Sequence, residues 1–148
     1  MRLGLVLALG LAGCAMPPSA PPDVGTGEWS LRQGQAVWRP RRAGPELAGD
    51  LILGTHSCGD FLVEFSKPPL TLVSAHRTGA RWEVGFPSQG RRVRGRGGGS
   101  DRLLWSRLPD ALAGKPVPER LRFSPVGPEG WWIENPRTGE RIEGFLSP

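Results

Sequence analysis

The strongest indication of the fold is the stretch from Asp60 to Arg96, "DFLVEFSKPPLTLVSAHRTGARWEVGFPSQGRRVRGR". Apolar and polar side chains alternate in it, as in "RWEVGF", where Trp82, Val84 and Phe86 share one face. The turn-forming groups "KPP", "RTGA" and "PSQG" interrupt the alternation at regular intervals. The pattern predicts four antiparallel strands joined by tight turns, each strand with one apolar face and one wetter face.

Two further strands are predicted before this stretch. "LAGDLILGT", residues 47–55, is rich in β-forming residues, and the turn "HSCGD" joins it to the strand that starts at Asp60. A shorter strand is predicted at Gln35–Arg39, and it ends at Pro40 because proline cannot donate to a strand ladder. The first half of the domain therefore contains five or six predicted strands.

The hydrophobic period changes in "SDRLLWSRLPDALAG", residues 100–114. Ser100 or Asp101 is predicted to cap a short helix, and Gly114 to end it. Pro109 either kinks this helix or separates two short helical turns. The helical stripe consists of four leucines, Leu103, Leu104, Leu108 and Leu112.

Three more strands are predicted after the helix: "RLRFSPV" at residues 120–126, then Trp131–Glu134 and Arg141–Leu146 around the turn "NPRTGE". This order predicts a mainly β fold. We expect a single antiparallel sheet curled into an incomplete, half-open barrel, with one short helical segment packed in or over it. Residues 24–148 are long enough for one domain with one modest core.

The N-terminal segment is typical of a secretory signal. Arg2 precedes the apolar run "LGLVLALGLAGC", which is too short to span about 30 Å of hydrocarbon. Its end, "LAGC", resembles a bacterial lipobox, which implies removal of residues 1–13 and acylation of Cys14. The alternative is a plain signal peptide with an incidental cysteine. The proline-rich residues 14–23 are predicted to be an extended tether.

An acylated Cys14 places the domain in the bacterial envelope, anchored to membrane lipid. Ala15 and Met16 follow Cys14, with no Asp at the +2 position, where an Asp would resemble an inner-membrane retention signal, so we expect the outer membrane, on its periplasmic side. The formal net charge of +5 favours anionic headgroups as partners. Export of the protein from the cytoplasm argues against nucleic acid as its partner. We therefore interpret "RRVRGRGGGS" as a strand and a loop, with three arginines as candidates for headgroup contact: Arg92, Arg94 and Arg96.

No metal, cofactor or catalytic motif is recognised in the sequence. His56, Cys58 and His76 lack the close ligand pairs of metal sites, and we expect them to be loop or rim residues. Cys58 is expected to be a half-buried small hydrophobe. The serines Ser57, Ser74 and Ser88 lack a G-x-S-x-G context. Glu64 and Glu83 fall on outward faces, where we expect them to be solvated. The sequence therefore predicts a protein that is not an enzyme.

The apolar residues indicate one kind of binding site. Six Trp and five Phe occur without any Tyr, and a curled sheet wider than its helix would leave an apolar cavity suited to acyl chains. The alternative is an ordinary filled core. The cavity candidates are Phe61, Val63, Phe65, Leu70, Leu72, Trp82, Val84, Phe86, Leu104, Trp105, Trp131 and Ile133.

Two motifs resemble the LolB family of outer-membrane lipoproteins. The helix and the stretch after it, "LLWSRLPDALAGKPVP", end in a G-x-P-(L/V)-P pattern at Gly114–Pro118, and Glu129–Ile133 with the hairpin "GWWIENPRTGERIEGF" is similar to a late strand of that family. The resemblance covers Gly49 to Phe145. It implies an unclosed barrel with a helical lid and an acyl-binding hollow. The implied activity is non-enzymatic: accepting lipoproteins from a LolA-like periplasmic carrier and inserting them into the outer membrane.

Two functional hypotheses remain open from the sequence. The first is a lipid- or lipoprotein-handling protein with an open apolar interior. The second is a structural or interaction lipoprotein of the envelope whose sheet has an ordinary filled core. The packing of the interior distinguishes them.

Overall fold

A computed structural model describes residues 20–25 and 27–148. The predicted signal peptide, Cys14 and the first part of the tether lie outside the described residues. In the described part, six strands precede one α-helix and three strands follow it. Their bounds are β1 Trp29–Arg39, β2 Leu47–His56, β3 Phe61–Lys67, β4 Leu70–Thr78, β5 Arg81–Phe86, β6 Arg91–Arg96, α1 Leu104–Leu112, β7 Arg122–Val126, β8 Gly130–Asn135 and β9 Glu140–Ser147.

The nine strands described form one antiparallel sheet in the order β6-β5-β4-β3-β2-β1-β9-β8-β7. Strands β6 and β7 are its two edges and do not pair with each other, so the sheet is open. Helix α1 connects these two edges along the chain and packs against β3, β4, β5, β8 and β9. The predicted curled, unclosed antiparallel sheet with one short helix is confirmed.

Strand β1 is longer than predicted. It starts at Trp29, where the expected strand began at Gln35, and it pairs with β2 from Trp29 opposite His56 to Trp38 opposite Leu47. Its first half, "WSLRQG", is too polar for a clear local pattern. Pairing with the apolar strand β2 extends it, and this interaction is not visible in a short window of sequence.

The face of the sheet that carries Trp38, Phe65 and Phe86 packs against α1, and we call it the core face. Trp105 of α1 is fully buried, with its ring stacked on Phe65 at a centroid distance of 5.1 Å. It also meets the edge of Trp38 at 5.6 Å, and Trp38 stacks on Phe86 at 5.9 Å. The opposite side of the sheet is called the outer face.

Two glycines on the core face allow the sheet to bend. Gly49 and Gly144 pair with Ala36 from either side. A Cβ atom at Gly49 would overlap the carbonyl oxygen of Ser66, and one at Gly144 would overlap the carbonyl oxygen of Gln35. The absence of both side chains therefore permits the close approach of backbones that a strongly coiled sheet requires.

Helix α1 is one helix, which excludes two separate turns around Pro109, and its start differs from the prediction. It runs without interruption through Pro109, because only one intrahelical hydrogen bond is lost there and the N–H of Ala113 still donates to the carbonyl of Pro109. Neither Ser100 nor Asp101 caps it, since the residue at the N-cap is Leu103 and it makes no side-chain capping bond. The Asp101 carboxylate instead accepts from Arg107 at 2.7 Å.

Three other residues lie in surroundings that differ from those predicted. Glu83 is only 6% exposed because arginines from the neighbouring strand β6 cover it. His76 is buried within β4 and is not a rim residue. Cys58 is exposed in the β2–β3 turn, where no element packs over it.

Candidate functional site

The residues predicted to line a cavity do come together, but they pack against one another in the core instead of facing an open space. Leu72 is partly buried against the core cluster. Leu70 is 60% exposed at the start of β4, directly after Pro68 and Pro69, so its assignment to the interior was wrong. The other ten are buried in one cluster: Phe61, Val63, Phe65, Trp82, Val84, Phe86, Leu104, Trp105, Trp131 and Ile133.

Helix α1 fills the interior with its own side chains. Leu104, Trp105 and Leu108 are fully buried against the core face. An acyl chain could occupy this space only if the helix moved away. The indole N–H groups of Trp105 and Trp131 are buried there without a hydrogen-bond partner among the described residues, and each costs about 1–3 kcal/mol.

The C-terminal half of α1 is fixed by an ion pair. Arg77 of β4 donates two hydrogen bonds to the Asp110 carboxylate, both at 2.9 Å, and two more to the carbonyl of Gly59. Lys115 Nζ donates a third hydrogen bond to the Asp110 carboxylate, at 2.8 Å. Burial alone would raise the pKa of Asp110, but the hydrogen bonds from Arg77 and Lys115 outweigh it and hold the pKa below its ordinary value.

The N-terminal end of α1 lies against a buried carboxyl group. Glu140 is 8% exposed and accepts a hydrogen bond from Trp38 Nε1 at 3.1 Å and another from the backbone N–H of Leu104. Burial raises the pKa of Glu140 to about 7, although these two bonds and the charge of Arg91 act in the opposite direction. Glu140 thus satisfies a helix N–H that the predicted cap residues leave unpaired.

An open groove with a volume of about 820 Å³ lies on the outer face and was not predicted. Its walls are Lys67–Pro68 on one side and the β7–β8 hairpin, with Val126 and Gly130, on the other. A strongly twisted sheet is saddle-shaped, so its outer face is concave along one diagonal. The remaining lining residues are Gln35, Ala36, Val37, Ala48, Gly49, Asp50, Trp131, Trp132, Arg141, Glu143, Gly144 and Phe145.

The groove combines apolar side chains with charged ones. Phe145 is 42% exposed and Val126 is 55% exposed. The guanidinium of Arg141 stacks over the ring of Trp132 at 4.7 Å, and Arg141 Nε also pairs with Glu143 at 2.7 Å. These contacts hold the Trp132 ring in place beside the exposed Phe145.

Of the three arginines predicted to contact lipid headgroups, two lie against the carboxylate of Glu83. Arg94 pairs with Glu83 at 2.6 Å, and Arg92 lies 3.7 Å from the same carboxylate. Arg96 is exposed at the end of β6. Much of the positive charge of this strand is therefore offset by Glu83.

A second, polar cleft of about 530 Å³ lies at the end of the sheet where β7 begins and β8 ends. We call it the arginine cleft. The sequence gives no local sign of it, because its arginines come from three separate segments that only the fold brings together. Its lining residues are Asp101, Arg102, Glu119, Arg120, Arg122, Asn135, Pro136 and Arg137.

From the sequence, His56 and Cys58 are predicted to be loop or rim residues and not metal ligands. In the structure they lie close together. The backbone N–H of Cys58 donates to His56 Nδ1 at 3.1 Å, and the thiol sulfur is 2.9 Å from the same nitrogen. Within residues 20–25 and 27–148, no three His, Cys, Asp or Glu side chains group in a way suited to a metal ion. In the same part of the chain, no helix has the length and apolar character needed to cross a bilayer.

Comparison of the sequence with models of protein families and with curated proteins finds no match.

Proposed function

We propose that the protein is a lipid-anchored protein of the bacterial envelope that binds acyl chains of lipids or lipoproteins and helps to localise them to the outer membrane. It acts by binding alone and catalyses no reaction. The observation that carries this proposal is the apolar groove of about 820 Å³ on the outer face.

The size and lining of the groove suit an acyl chain. Pockets for small ligands usually measure about 300–1,000 Å³ and are mostly apolar. Val37, Phe145 and Trp132 offer adjacent apolar surface that is at least partly exposed to solvent. Each methylene group removed from water against such a surface contributes about 0.8 kcal/mol.

The charges at the groove favour an acyl chain with a polar head. Lys67 and Arg141 carry positive charges at the groove, that of Arg141 shared with Glu134 and Glu143, and Asp50 adds a further polar side chain. A chain lying along Phe145 and Trp132 would keep its head within reach of Arg141. This arrangement is typical of sites that bind an apolar body and orient it through a few polar groups.

The groove is a better acyl site than the interior in this conformation. Opening the interior would break the Arg77–Asp110 ion pair and expose Trp105, a fully buried residue. Binding that requires such a change is weakened by the free energy of the change. The groove is open without any rearrangement.

The predicted N-terminal lipidation supports the proposed location. An acyl anchor at Cys14, followed by the tether, would keep the groove near a membrane, where acyl-bearing lipids and lipoproteins are concentrated. A LolA-like periplasmic carrier is the proposed donor of lipidated cargo, as the LolB resemblance implies.

Photo-crosslinking tests the acyl site. The full mature chain, in nonionic detergent, is exposed to a palmitate analogue with a diazirine near its methyl end, and crosslinked peptides are mapped by mass spectrometry. We expect crosslinks within residues 126–132 and 143–145 that excess palmitate suppresses. Phe145→Arg should reduce them about fivefold or more, because it places a charge in the apolar floor.

Leu31→Arg is the matched control, since Leu31 is also a large exposed side chain of the sheet but lies outside the groove. It should leave the crosslinks unchanged. Crosslinks at Trp105 and Leu108 would move the acyl site to the interior. The absence of any crosslink that palmitate suppresses would contradict acyl binding.

A structural or interaction lipoprotein is the second candidate. The filled interior favours it, because Trp38, Phe65, Phe86 and Trp105 pack in direct contact. On this alternative the sheet is a stable scaffold that presents surfaces to other envelope components, and no acyl chain binds in the crosslinking experiment.

A further inference from the structure

We propose that the arginine cleft binds a phosphate group. This inference concerns a different surface from the acyl groove and does not depend on it. Four arginines line this cleft: Arg102, Arg120, Arg122 and Arg137.

Three segments supply these arginines. Arg102 lies just before α1, Arg120 and Arg122 lie at the start of β7, and Arg137 lies in the β8–β9 turn. All four are exposed at the cleft, whose volume is about 530 Å³. A space of that size admits a phosphate group together with part of the molecule that carries it.

The charges in the cleft are poorly compensated. None of the four guanidinium groups has an ion pair or a hydrogen-bond acceptor among the described residues. Of the two carboxylates in the lining, Asp101 is engaged by Arg107 at 2.7 Å, and Glu119 is the other. Bringing like charges together is unfavourable, so an anion that enters the cleft relieves repulsion as well as forming new contacts.

Asn135 fixes two of the three segments relative to each other. Its side chain is 3% exposed; Oδ1 accepts from the N–H groups of Arg137 at 3.1 Å and Thr138 at 3.3 Å. Its Nδ2 donates to the carbonyl of Asp101 at 3.3 Å, next to Arg102. The backbones that carry Arg102 and Arg137 are therefore held in place before any ligand arrives, which lowers the entropic cost of binding.

Phosphate is the anion that these groups fit best. A guanidinium donates two parallel N–H bonds to two oxygens of a phosphate, and several such groups can surround its tetrahedral set of oxygens. A carboxylate offers only two oxygens and one charge, so it would leave most of the four arginines without an acceptor. The phosphate comes either as the free ion or from the headgroup of an anionic lipid, and both sources share this chemistry.

The cleft lies at the opposite end of the sheet from the point where the tether enters. Strand β1 runs from Trp29, next to the tether, to Arg39, which pairs with Arg141 at the cleft end. Its 11 residues span roughly 33 Å. The phosphate-bearing ligand would thus bind at the end of the domain away from its anchor.

Titration calorimetry of the full mature chain in uncharged detergent tests this proposal, with inorganic phosphate as the probe and sodium chloride at matched ionic strength as the blank. We expect saturable binding of phosphate. The double variant Arg102→Gln/Arg122→Gln should weaken it about tenfold or more, because it removes two charge-assisted contacts. Arg120→Gln/Arg137→Gln should do the same, which guards against a local folding defect in either variant.

The matched control is Arg81→Gln/Lys115→Gln, which removes two positive charges from exposed side chains outside the cleft lining. It should change phosphate binding by less than about twofold. A soluble short-chain phosphatidic acid, used below its micelle concentration, distinguishes the sources: tighter binding than phosphate identifies a lipid headgroup, and binding of phosphate alone identifies the free ion. Equal weakening by cleft and control variants, or no saturable binding of either probe, would overturn the proposal.

Discussion

Glu140 shows how a single buried carboxyl group makes the stability of this protein depend on pH. It accepts hydrogen bonds from Trp38 of the core face and from the backbone N–H of Leu104 at the start of α1, and burial raises its pKa from 4.5 to about 7. Because the pKa is higher in the folded chain than in the unfolded chain, the folded state favours the protonated acid. The stability that this provides is complete below about pH 4.5 and is lost as the pH rises through 7.

We predict that Glu140→Gln makes the protein relatively more stable at alkaline pH. The amide keeps an acceptor for Trp38 Nε1 but never ionises. Urea unfolding should give a free-energy difference between variant and wild type that grows by about 3 kcal/mol in favour of the variant from pH 4 to pH 8.

The control for this experiment is Glu46→Gln. Glu46 is exposed and its oxygen lies 3.8 Å from Arg39, so the variant should follow the wild type at every pH. A Glu140→Gln variant that also follows the wild type would show that Glu140 does not titrate in this range.

Single residues also show what the sequence can and cannot predict. The alternation in "RWEVGF" correctly placed Trp82, Val84 and Phe86 in the core, because facing is a local property of a strand. The same alternation predicted that Glu83 points outward, and its pairing opposite Arg94 of β6 agrees with that. The alternation did not predict that Glu83 is buried. Its cover comes from Arg92 and Arg94 on the neighbouring strand, and pairing between strands is not encoded in a short window.

Among the elements, helix α1 owes its position to tertiary contacts more than to its own sequence. It has nine residues, includes a proline and lacks a side-chain cap. Isolated helices of this length are marginal in water. Its two ends are fixed by the sheet instead, through Glu140 at one end and Arg77 at the other.

We predict that Asp110→Asn costs about 3 kcal/mol of unfolding free energy at neutral pH. The change leaves Arg77, whose side chain is 11% exposed, without its counter-ion in a largely buried site. The pKa of Asp110 is lowered in the fold, so its stabilising contribution is present above its ordinary pKa and disappears as the pH falls through the folded-state pKa. Chemical denaturation at pH 7 and at pH 3 measures both effects, and the variant should differ less from the wild type at the lower pH.

Lys115→Gln provides the comparison at the same carboxylate. Lys115 is 53% exposed in its side chain, so its loss should cost less than about 1 kcal/mol. If both variants have the same small effect, the Arg77–Asp110 pair does not hold α1 on the sheet.

The candidate sites could be predicted less well than the elements. The sequence predicted which side chains are apolar and that a helix faces the sheet, yet not that Trp105 fills the space between them. The outer groove depends on the twist of the whole sheet and on backbone approach at Gly49 and Gly144. The arginine cleft depends on three distant segments meeting, so neither surface has a signature in any one stretch.

At the scale of the whole molecule, the sheet order predicts a gradient of stability. Strands β3, β2 and β1 lie in the middle, and β6 and β7 are edges with one paired side each. We expect the amides of β2 and β1 to exchange with deuterium most slowly, and those of β6 and β7 about tenfold faster or more, since edges open locally more often. Hydrogen-exchange mass spectrometry of the full chain measures this directly.

Uniform protection across all nine strands would contradict that expectation, because it would mean that α1 seals the gap between β6 and β7 as firmly as strand pairing would.

The groove on the outer face and the arginine cleft lie on different parts of the sheet. Their proposals can therefore fail separately, and a variant in one should leave binding at the other intact.

The pairing of β1 with β9 has a consequence for how the chain acquires its fold. Arg32 Nη2 donates to the carbonyl of Leu146, a separation of 114 residues, along the strand pair that joins the two halves of the sheet. The N-terminal part of the chain emerges first, from the ribosome and again on the proposed export, so β1 to β6 can associate while one side of β1 has no neighbour. Until β9 has emerged as well, the chain carries an unprotected strand edge prone to mispairing with other chains, and a holding chaperone in the compartment where the domain folds would be of most use to it during that interval.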